Sequence, residues 1–308
     1  MTLTTPVPVN EQPFVIHRTK HVGRWIAGII VLGLLGLLVY SAASNPRFEW
    51  ESVGGYLVAP PILTGVLVTL ELTFISMLIG VILGVIIAIM RLSSNPVLSM
   101  TSAGFVAFFR GTPLLVQLIF WYNLASLYPV ITFGLPGVAL NANEIITPFL
   151  AAILGLSLNE AAYMSEIVRG GIISVDRGQR EASTAMGLTG AQTMRRIILP
   201  QAMRVIIPPT GNELVGMLKA TSLVSVIAVA DLLYSAQIIY ARNFDVIPLL
   251  IAVSIWYIVL TTILTIGQGF LERYYARGSE FQASRSSEIW QRMIRFRLFS
   301  QSTKGGQR

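Results

Sequence analysis

Residues 62–90 read ILTGVLVTLELTFISMLIGVILGVIIAIM, an apolar run that only Glu71 interrupts with a charge. A helix rises about 1.5 Å per residue, so about 20 apolar residues cross the roughly 30 Å hydrocarbon core of a bilayer. The run is longer than that, and a helix of this length can cross the core while tilted. The stretch therefore predicts a membrane-spanning helix.

The composition extends this prediction to the whole chain. Of the 308 residues, 54% are hydrophobic and 12% are charged, whereas about 25% of the residues in soluble domains are charged. We therefore predict an all-α integral membrane protein with six transmembrane helices. The predicted spans are 25–43, 62–90, 96–128, 147–168, 214–239 and 246–271.

The first apolar segment, 25–43, follows a polar segment, 1–24, that contains Arg18, Lys20 and Arg24. A cleaved signal peptide has an apolar region of roughly 7 to 15 residues, which is shorter than this one. We therefore expect residues 25–43 to remain in the protein as a transmembrane helix.

Two of the predicted spans contain or adjoin helix-breaking sequences. In segment 96–128, the sequence Arg110-Gly111-Thr112-Pro113 interrupts the run. We expect Thr112 to cap a new helix that starts with Pro113, which makes this a broken span. Pro208 and Pro209 are expected to interrupt the helix just before the span 214–239.

The basic residues predict the orientation of the chain. Of the 22 lysines and arginines, only Arg47 and Arg242 lie in the loops on one side, and Arg110 and Lys219 lie within apolar segments. The others flank the spans on the opposite side. Because cytoplasmic loops carry the excess of positive charge, both termini are predicted to be cytoplasmic. Cations that flank spans in this way indicate a lipid bilayer, and not a nucleic acid, as the partner.

Several kinds of chemistry are excluded by what the sequence contains. The chain has no cysteine, which excludes disulfides and sulfur-ligated metals. His17 and His21 have too few potential ligands nearby for a metal site. The lysines Lys20, Lys219 and Lys304 do not follow a glycine, as the lysine of a phosphate-binding loop does. We therefore expect no metal, no cofactor and no catalytic residue in this chain.

The polar stretch 170–204 is long for a loop between membrane helices. Asp176 with Gln179, and Thr189 with Gln192, have the spacing of helix-capping pairs, and Gly187 is a suitable end for the first helix. We predict two short helices around Gly187, the second of which ends at Leu199-Pro200. Spacing alone does not reject an amphipathic surface hairpin with Arg195 and Arg196 toward phosphates and Met194, Ile197 and Ile198 toward the bundle.

The residues of this loop resemble a known family. Glu181-Ala182-Ser183, then Gly187, then Ile197-Ile198-Leu199-Pro200 is similar, with the same spacing, to the EAA signature of ABC importer permeases, although Ser183 stands where the signature has alanine. The resemblance implies that this loop is a coupling loop that docks on a cytoplasmic ATP-binding subunit. The residues implied in coupling are Glu181, Ala182, Ser183, Gly187, Ile197, Leu199 and Pro200.

The flanking segments resemble the polar-amino-acid branch of that family. They are TGVLVTL at 64–70, RGTPLLVQ at 110–117, AAYMSEIVRGG at 161–171 and KATSL at 219–223. The resemblance implies a five-helix type I permease core over 60–275, to which 25–43 adds an extra helix and 276–308 a basic tail. The implied partners are an ATP-binding cassette subunit, a second permease subunit, identical or paralogous, and an extracytoplasmic amino-acid-binding protein.

Charges within spans are the candidates for a substrate pathway, because each costs about 2.5 to 3.5 kcal/mol at mid-helix unless it meets a partner or a cavity. The free N–H groups of the helix after Thr112 could receive an α-carboxylate. Glu166 and Asp231 are the first choices for an amino or cationic group, with Arg110 and Glu160 also in the pathway. The alternative is that these charges pair with each other, for example Arg110 with Glu160 or Glu166.

These observations predict the permease subunit of an ATP-driven importer of polar amino acids in the cell inner membrane. An ABC importer permease for another small solute would share the loop 181–200 but not the segment 110–117. An ion-coupled secondary transporter would show an internal repeat with paired broken helices, and a membrane anchor or sensor would carry an additional soluble domain.

Overall fold

The computed structural model describes residues 22–132 and 140–276, and the predicted N-terminal segment up to residue 21, the histidines His17 and His21 and the basic tail from residue 277 lie outside these residues. The chain divides after Trp50 into two compact units. The helices are α1 Val22–Ser44, α2 Trp50–Leu57, α3 Pro60–Arg91, α4 Pro96–Gly111, α5 Leu114–Tyr122, α6 Leu124–Leu127, α7 Ala142–Ile145, α8 Pro148–Ile173, α9 Arg177–Ala185, α10 Gly190–Thr193, α11 Leu199–Ala220, α12 Leu232–Asn243 and α13 Val246–Ala276. Short 3-10 helices at Pro46–Phe48 and Thr221–Ile227, a π-helical turn at Met194–Ile198 and a two-stranded pair, β1 Val130–Ile131 with β2 Leu140–Asn141, complete the elements.

The first unit consists of α1 and a tight corner after it. The apolar side chains of α1 are exposed on every side, for example Leu32 at 70% and Tyr40 at 71%, as expected of a helix surrounded by lipid. In the corner, the Trp50 indole donates a hydrogen bond to the Ala42 carbonyl at 3.0 Å, and the Phe48 ring stacks on the Trp50 ring.

The all-α membrane class is confirmed. Helices α1, α3 and α13 are each long and apolar enough to cross a membrane, and two bent pairs, α4 with α5 and the helices on either side of residues 228–231, raise the number to five. Helix α8 is long enough as well, but Asn159, Glu160 and Glu166 make it more polar, and it is not among the five. The count of six spans remains a prediction that requires α8 to be the sixth.

The second unit is organised around the contact between α3 and α8, which we call the α3–α8 seam. A methyl group built on Gly80 would lie 2.6 Å from Cγ of Glu160, and one on Gly84 would lie 2.6 Å from Cβ of Met164. The two backbones therefore approach as closely as glycine allows, which is how helices associate in lipid. Because 80 faces 160 and 84 faces 164, the two helices run in the same direction.

One end of the second unit is closed by the connection between α5 and α8. Ala125 in α6, Ala142 in α7 and Ile146 after it are buried in one cluster with Leu118 and Leu156. At the opposite end, α9 and α10 form a hairpin that follows α8. The two ends of the bundle therefore differ. At one end α6 and α7 pack against α5 and α8, and at the other end the hairpin follows α8.

The predicted break at Pro208 and Pro209 is wrong. Helix α11 continues through both prolines, and the chain instead bends after the 3-10 helix Thr221–Ile227, where Ala228 has φ 59°. Neighbouring helices in a membrane can hold a proline-containing helix in place. Here Gly211 lies against Gln268 of α13, whose side-chain amide donates to the Pro208 carbonyl at 3.3 Å.

Two further boundaries differ from the predicted ones. The predicted span 214–239 is not one continuous helix, because α11 ends at Ala220 and α12 begins at Leu232, with the bend between them. The second helix of the hairpin does not end at Leu199-Pro200, because the π-helical turn joins α10 to α11. Pro200 is tolerated there since it lies in the first turn of α11, where its missing N–H has no carbonyl to bind within that helix.

The close contact in the seam can be tested with a matched pair of glycine substitutions. Gly84→Ala should lower the stability of the protein by about 1 to 3 kcal/mol, because the added methyl overpacks the contact with Met164. The control is Gly104→Ala in α4, where nothing lies within 4 Å of the added methyl. Thermal unfolding in detergent measures both, and equal melting temperatures for the two variants would contradict the seam.

Candidate coupling hairpin and intramembrane polar site

The hairpin is built from local capping interactions. The Asp176 carboxylate accepts a hydrogen bond from the Gly178 N–H at 2.8 Å and caps α9. Gly187 has φ +74°, a left-handed conformation that ends α9, and the Leu188 N–H then donates to the Ser183 carbonyl at 3.0 Å. Thr189 and Gln192 form a reciprocal capping box at the start of α10. The predicted hairpin around Gly187 is therefore present.

A buried hydroxyl pair joins the two helices of the hairpin. The Thr193 hydroxyl donates to the Ser183 hydroxyl at 3.0 Å, which in turn donates to the Arg180 carbonyl at 2.7 Å. Ser183 is 1% exposed and Thr193 7%. From the sequence alone, Ser183 is a small residue in place of alanine. Its hydrogen bond to Thr193 becomes visible only in the folded hairpin.

The hairpin is open on one side and anchored on the other. Of the coupling residues, Glu181, Ala182, Gly187, Leu199 and Pro200 are exposed, Ile197 is half-buried and Ser183 is buried. The anchor is Ile198, which is buried with Ile172 of α8 and Ile206 of α11. The Arg180 guanidinium also donates to the Ile172 carbonyl at 3.3 Å. A force on the open side would therefore be transmitted to both α8 and α11.

The break between α4 and α5 is a bend of 102°, and side chains satisfy the backbone carbonyl that the bend leaves without a partner. Pro113 has no N–H, so the Phe109 carbonyl lacks its helical partner. The side-chain amides of Gln117 and Asn159 donate to this carbonyl instead, at 2.9 and 3.0 Å. Asn159 also donates to the Gln117 amide oxygen at 3.2 Å, so α8 holds the bend.

Thr112 is not the N-cap of α5, which corrects the predicted role. It is the C-cap of α4, where its hydroxyl donates to the Phe108 carbonyl at 2.8 Å and accepts from the Gln117 amide at 2.7 Å. The N-cap of α5 is Pro113, which supplies no side-chain acceptor. The first N–H groups of α5 therefore have no side-chain cap within the described part of the chain.

Glu166 and Asp231 are both engaged in structural contacts. Glu166 binds Arg91 at 3.3 Å and Arg169 at 2.7 Å, which ties the hairpin ends of α3 and α8 together. Asp231 is fully buried, caps α12 by accepting from the Tyr234 N–H at 2.9 Å, and lies 3.5 Å from the Tyr257 hydroxyl. The structure does not bring these two first choices together in one site.

Arg110 and Glu160 lie in a different setting. The Arg110 guanidinium lies over the Tyr163 ring, 5.0 Å from its centre, and makes no ion pair within residues 22–132 and 140–276. Glu160 is 4% exposed, and its Oε1 has no hydrogen-bond partner among the described residues. The alternative pairing of Arg110 with Glu160 or Glu166 is therefore not formed among the described residues.

Glu213 on α11 joins these groups, and sequence reasoning missed its place. It is half-buried, and its neighbour Leu214 packs against the cluster that contains Met164 of α8, one helical turn from Glu160. Ser76 and Ser157 are buried in the seam beside Glu160 and also have hydroxyls without a hydrogen-bond partner in the described chain. The predicted break at Pro208 placed Glu213 in a loop, so its position on a helix next to α8 was not predicted.

We call this group of residues at the bend between α4 and α5 the polar site. It consists of Arg110, Asn159, Glu160 and Glu213.

Comparison with known proteins places these features in a family. Residues 80–277 match the family described as the inner membrane component of binding-protein-dependent transport systems. The chain is 46% identical over 275 residues to the arginine transport system permease protein ArgU of Corynebacterium glutamicum, covering 89% of this chain and 85% of that protein. It is 34% identical to the glutamine transport system permease protein GlnP of Escherichia coli, covering 74% of this chain and 97% of that protein.

A solved structure agrees with these sequence relationships. The crystal structure of an amino acid ABC transporter with histidines superposes with a TM-score of 0.62 at 37% identity, covering 70% of this chain and 94% of that chain. The chain therefore belongs to the family of binding-protein-dependent inner-membrane transport components, as an amino acid ABC importer permease whose ATP is hydrolysed by a separate subunit.

Proposed function

We propose that this permease imports basic amino acids. The observation that carries the proposal is the polar site, in which the buried Glu160 and the half-buried Glu213 supply two carboxyl groups and Arg110 supplies one cation. Such a site favours a substrate with a positive charge beyond that of its α-amino group. The similarity to the arginine permease supports it, since the identity is 46%, compared with 34% for the glutamine permease.

We assign the substrate groups within the polar site as follows. The α-carboxylate binds at the uncapped start of α5, beside Arg110, because free N–H groups and a positive helix end attract an anion. The cationic side chain binds Glu160 and Glu213. Thr112 holds the bend that shapes the site, whereas Glu166 and Asp231 support the helices around it.

The hairpin is the proposed docking element for the ATP-binding subunit. Its open side offers Glu181, Ala182 and Gly187, and its anchored side reaches α8 through Ile198 and Arg180. Closure of two ATP-binding subunits would push the hairpin and thereby move α8, which carries Glu160 and borders the α3–α8 seam. The remaining coupling residues are Ser183, Ile197, Leu199 and Pro200.

The positive-inside rule supports the proposed orientation, with both termini and the hairpin in the cytoplasm. Segments 1–24 and 276–308 are then cytoplasmic, 25–43 is the extra span, and 60–275 is the transporter core with its coupling loop at 170–204. A second permease subunit and an extracytoplasmic binding protein complete the proposed assembly. The binding protein docks at the end closed by α6 and α7.

The substrate class is tested by reconstitution. The chain, co-purified with its ATP-binding subunit and binding protein, is placed in proteoliposomes with labelled arginine, lysine, glutamine, cystine or glutamate. We expect ATP-dependent uptake of arginine and lysine. Preferential uptake of glutamine or cystine would replace the basic class with a neutral polar one, and ATP-independent uptake would contradict the importer mechanism.

A substitution at the turn of the hairpin tests coupling. Gly187→Val should lower uptake per ATP hydrolysed about five- to thirtyfold, because a side chain at φ +74° adds about 1 to 2 kcal/mol of strain and displaces α9 from α10. The control is Gly190→Val, which has nothing within 4 Å and no left-handed backbone. Uptake and ATPase rates are measured together, and wild-type coupling in Gly187→Val would argue against the hairpin.

A charge-removing substitution tests the polar site. Glu160→Gln should raise the KM for arginine about tenfold or more, because a hydrogen bond to a charged group contributes about 1.5 to 3 kcal/mol. The KM for a neutral amino acid should change less. The control is Glu71→Gln, at an exposed position on α3. Unchanged arginine kinetics in Glu160→Gln would remove this residue from the pathway.

A further inference from the structure

A long apolar groove runs along the hairpin end of the second unit, between α3, α8, the π-helical turn and α11. Its volume is about 600 Å³, and Ser93 and Thr210 are the polar residues in its lining. It extends from Val81 on α3 to Ser93 just after the end of that helix, and the helical part from Val81 to Arg91 alone corresponds to about 15 Å at 1.5 Å per residue. This length is close to half of the roughly 30 Å hydrocarbon core, which is the depth of one leaflet.

The groove is open to its surroundings on the α3 side. Val85 is 38% exposed and Ile89 62% exposed, and both line the groove. They point into it beside Met203 of α11. An apolar groove of this size on a membrane-spanning helix needs an apolar occupant, and an acyl chain has the shape and polarity to fill it.

The hairpin end of the groove is bordered by positive charge. Met194 of the π-helical turn lines the groove together with Leu199 and Met203 of α11, and Arg195 directly follows Met194. Arg195 therefore lies at the hairpin end of the groove. It is exposed and makes no ion pair in the described part of the chain.

Other cations add to this border. Arg91 directly precedes the lining residues Leu92 and Ser93. Arg91 and Arg169 both bind the carboxylate of Glu166. These three side chains therefore have a net charge of one positive unit. The border is therefore cationic beyond Arg195, and basic pockets between membrane helices on the cytoplasmic side bind anionic lipid head groups.

We propose that this groove is a binding site for an anionic phospholipid of the cytoplasmic leaflet, with one acyl chain along Val85 and Ile89 and the phosphate at Arg195. The proposal rests on the orientation proposed above, but not on the identity of the transported amino acid. A helix of a second permease would also cover the apolar lining, but it would leave the charge at Arg195 unmatched. A phospholipid satisfies both ends of the groove.

Native mass spectrometry of the purified full-length chain in detergent tests this site without measuring transport. The probes are dioleoyl phosphatidylglycerol, which is anionic, and dioleoyl phosphatidylcholine, which has no net charge. We expect one phosphatidylglycerol to be retained per chain in preference to phosphatidylcholine. A failure of uptake in proteoliposomes would not alter this result, so the two proposals fail separately.

Two variants, each with a matched control, test separately where the phosphate and the acyl chain bind. Arg195→Gln should lower phosphatidylglycerol affinity about fivefold, which corresponds to about 1 kcal/mol per arginine, while Arg177→Gln on the exposed face of α9 should not. Val85→Trp should fill the groove and abolish retention, whereas Ile82→Trp, at an exposed position on α3 outside the lining, should not. Thermal unfolding verifies that all four variants are folded.

Four outcomes would overturn the proposal. Equal retention of the two lipids, or of phosphatidylglycerol by wild type and both groove variants, would show that the groove does not select an anionic lipid. Displacement of the lipid by glycerol phosphate at equal concentration would indicate a site for a soluble anion. A disulfide between two chains carrying Ile89→Cys in membranes would show that a second permease covers the groove.

Discussion

The bundle depends on the close approach of α3 and α8, which Gly80 and Gly84 permit. In lipid there is no hydrophobic force to press two apolar helices together, so packing at short distance has to hold them. Helix α8 in turn carries Asn159, Glu160 and Glu166, which reach the bend, the polar site and the hairpin end. A wider spacing in the seam would displace all three of these regions at once.

The bend between α4 and α5 illustrates a second constraint, which is that backbone groups in a membrane must find partners within the protein. Pro113 creates the bend and removes one donor, and Gln117 and Asn159 supply replacements to the Phe109 carbonyl. The bend is therefore held by side chains from two helices. In the proposed site, substrate groups would approach the uncapped N–H groups of α5 without the helix losing its own hydrogen bonds.

The sequence was sufficient to predict features that depend on neighbouring residues in the chain. Apolar length predicted α1, α3 and α13, and capping residues predicted the hairpin around Gly187. Features that depend on which helices become neighbours were not predictable in this way. Gln268 of α13 packs on α11 beside the two prolines, and Arg91 of α3 binds Glu166 of α8. Glu213 was misplaced for the same reason, because its helix was expected to break.

The π-helical turn Met194–Ile198, between the hairpin and α11, determines the direction in which the hairpin faces. A π-helical turn holds one residue more than an α-helical turn, and each residue of an α-helix advances by about 100° around the axis. The direction in which the hairpin faces is therefore encoded in the number of residues in this turn as much as in their identity. A single insertion or deletion here would therefore rotate the hairpin relative to α11 and turn the proposed docking surface away from its partner.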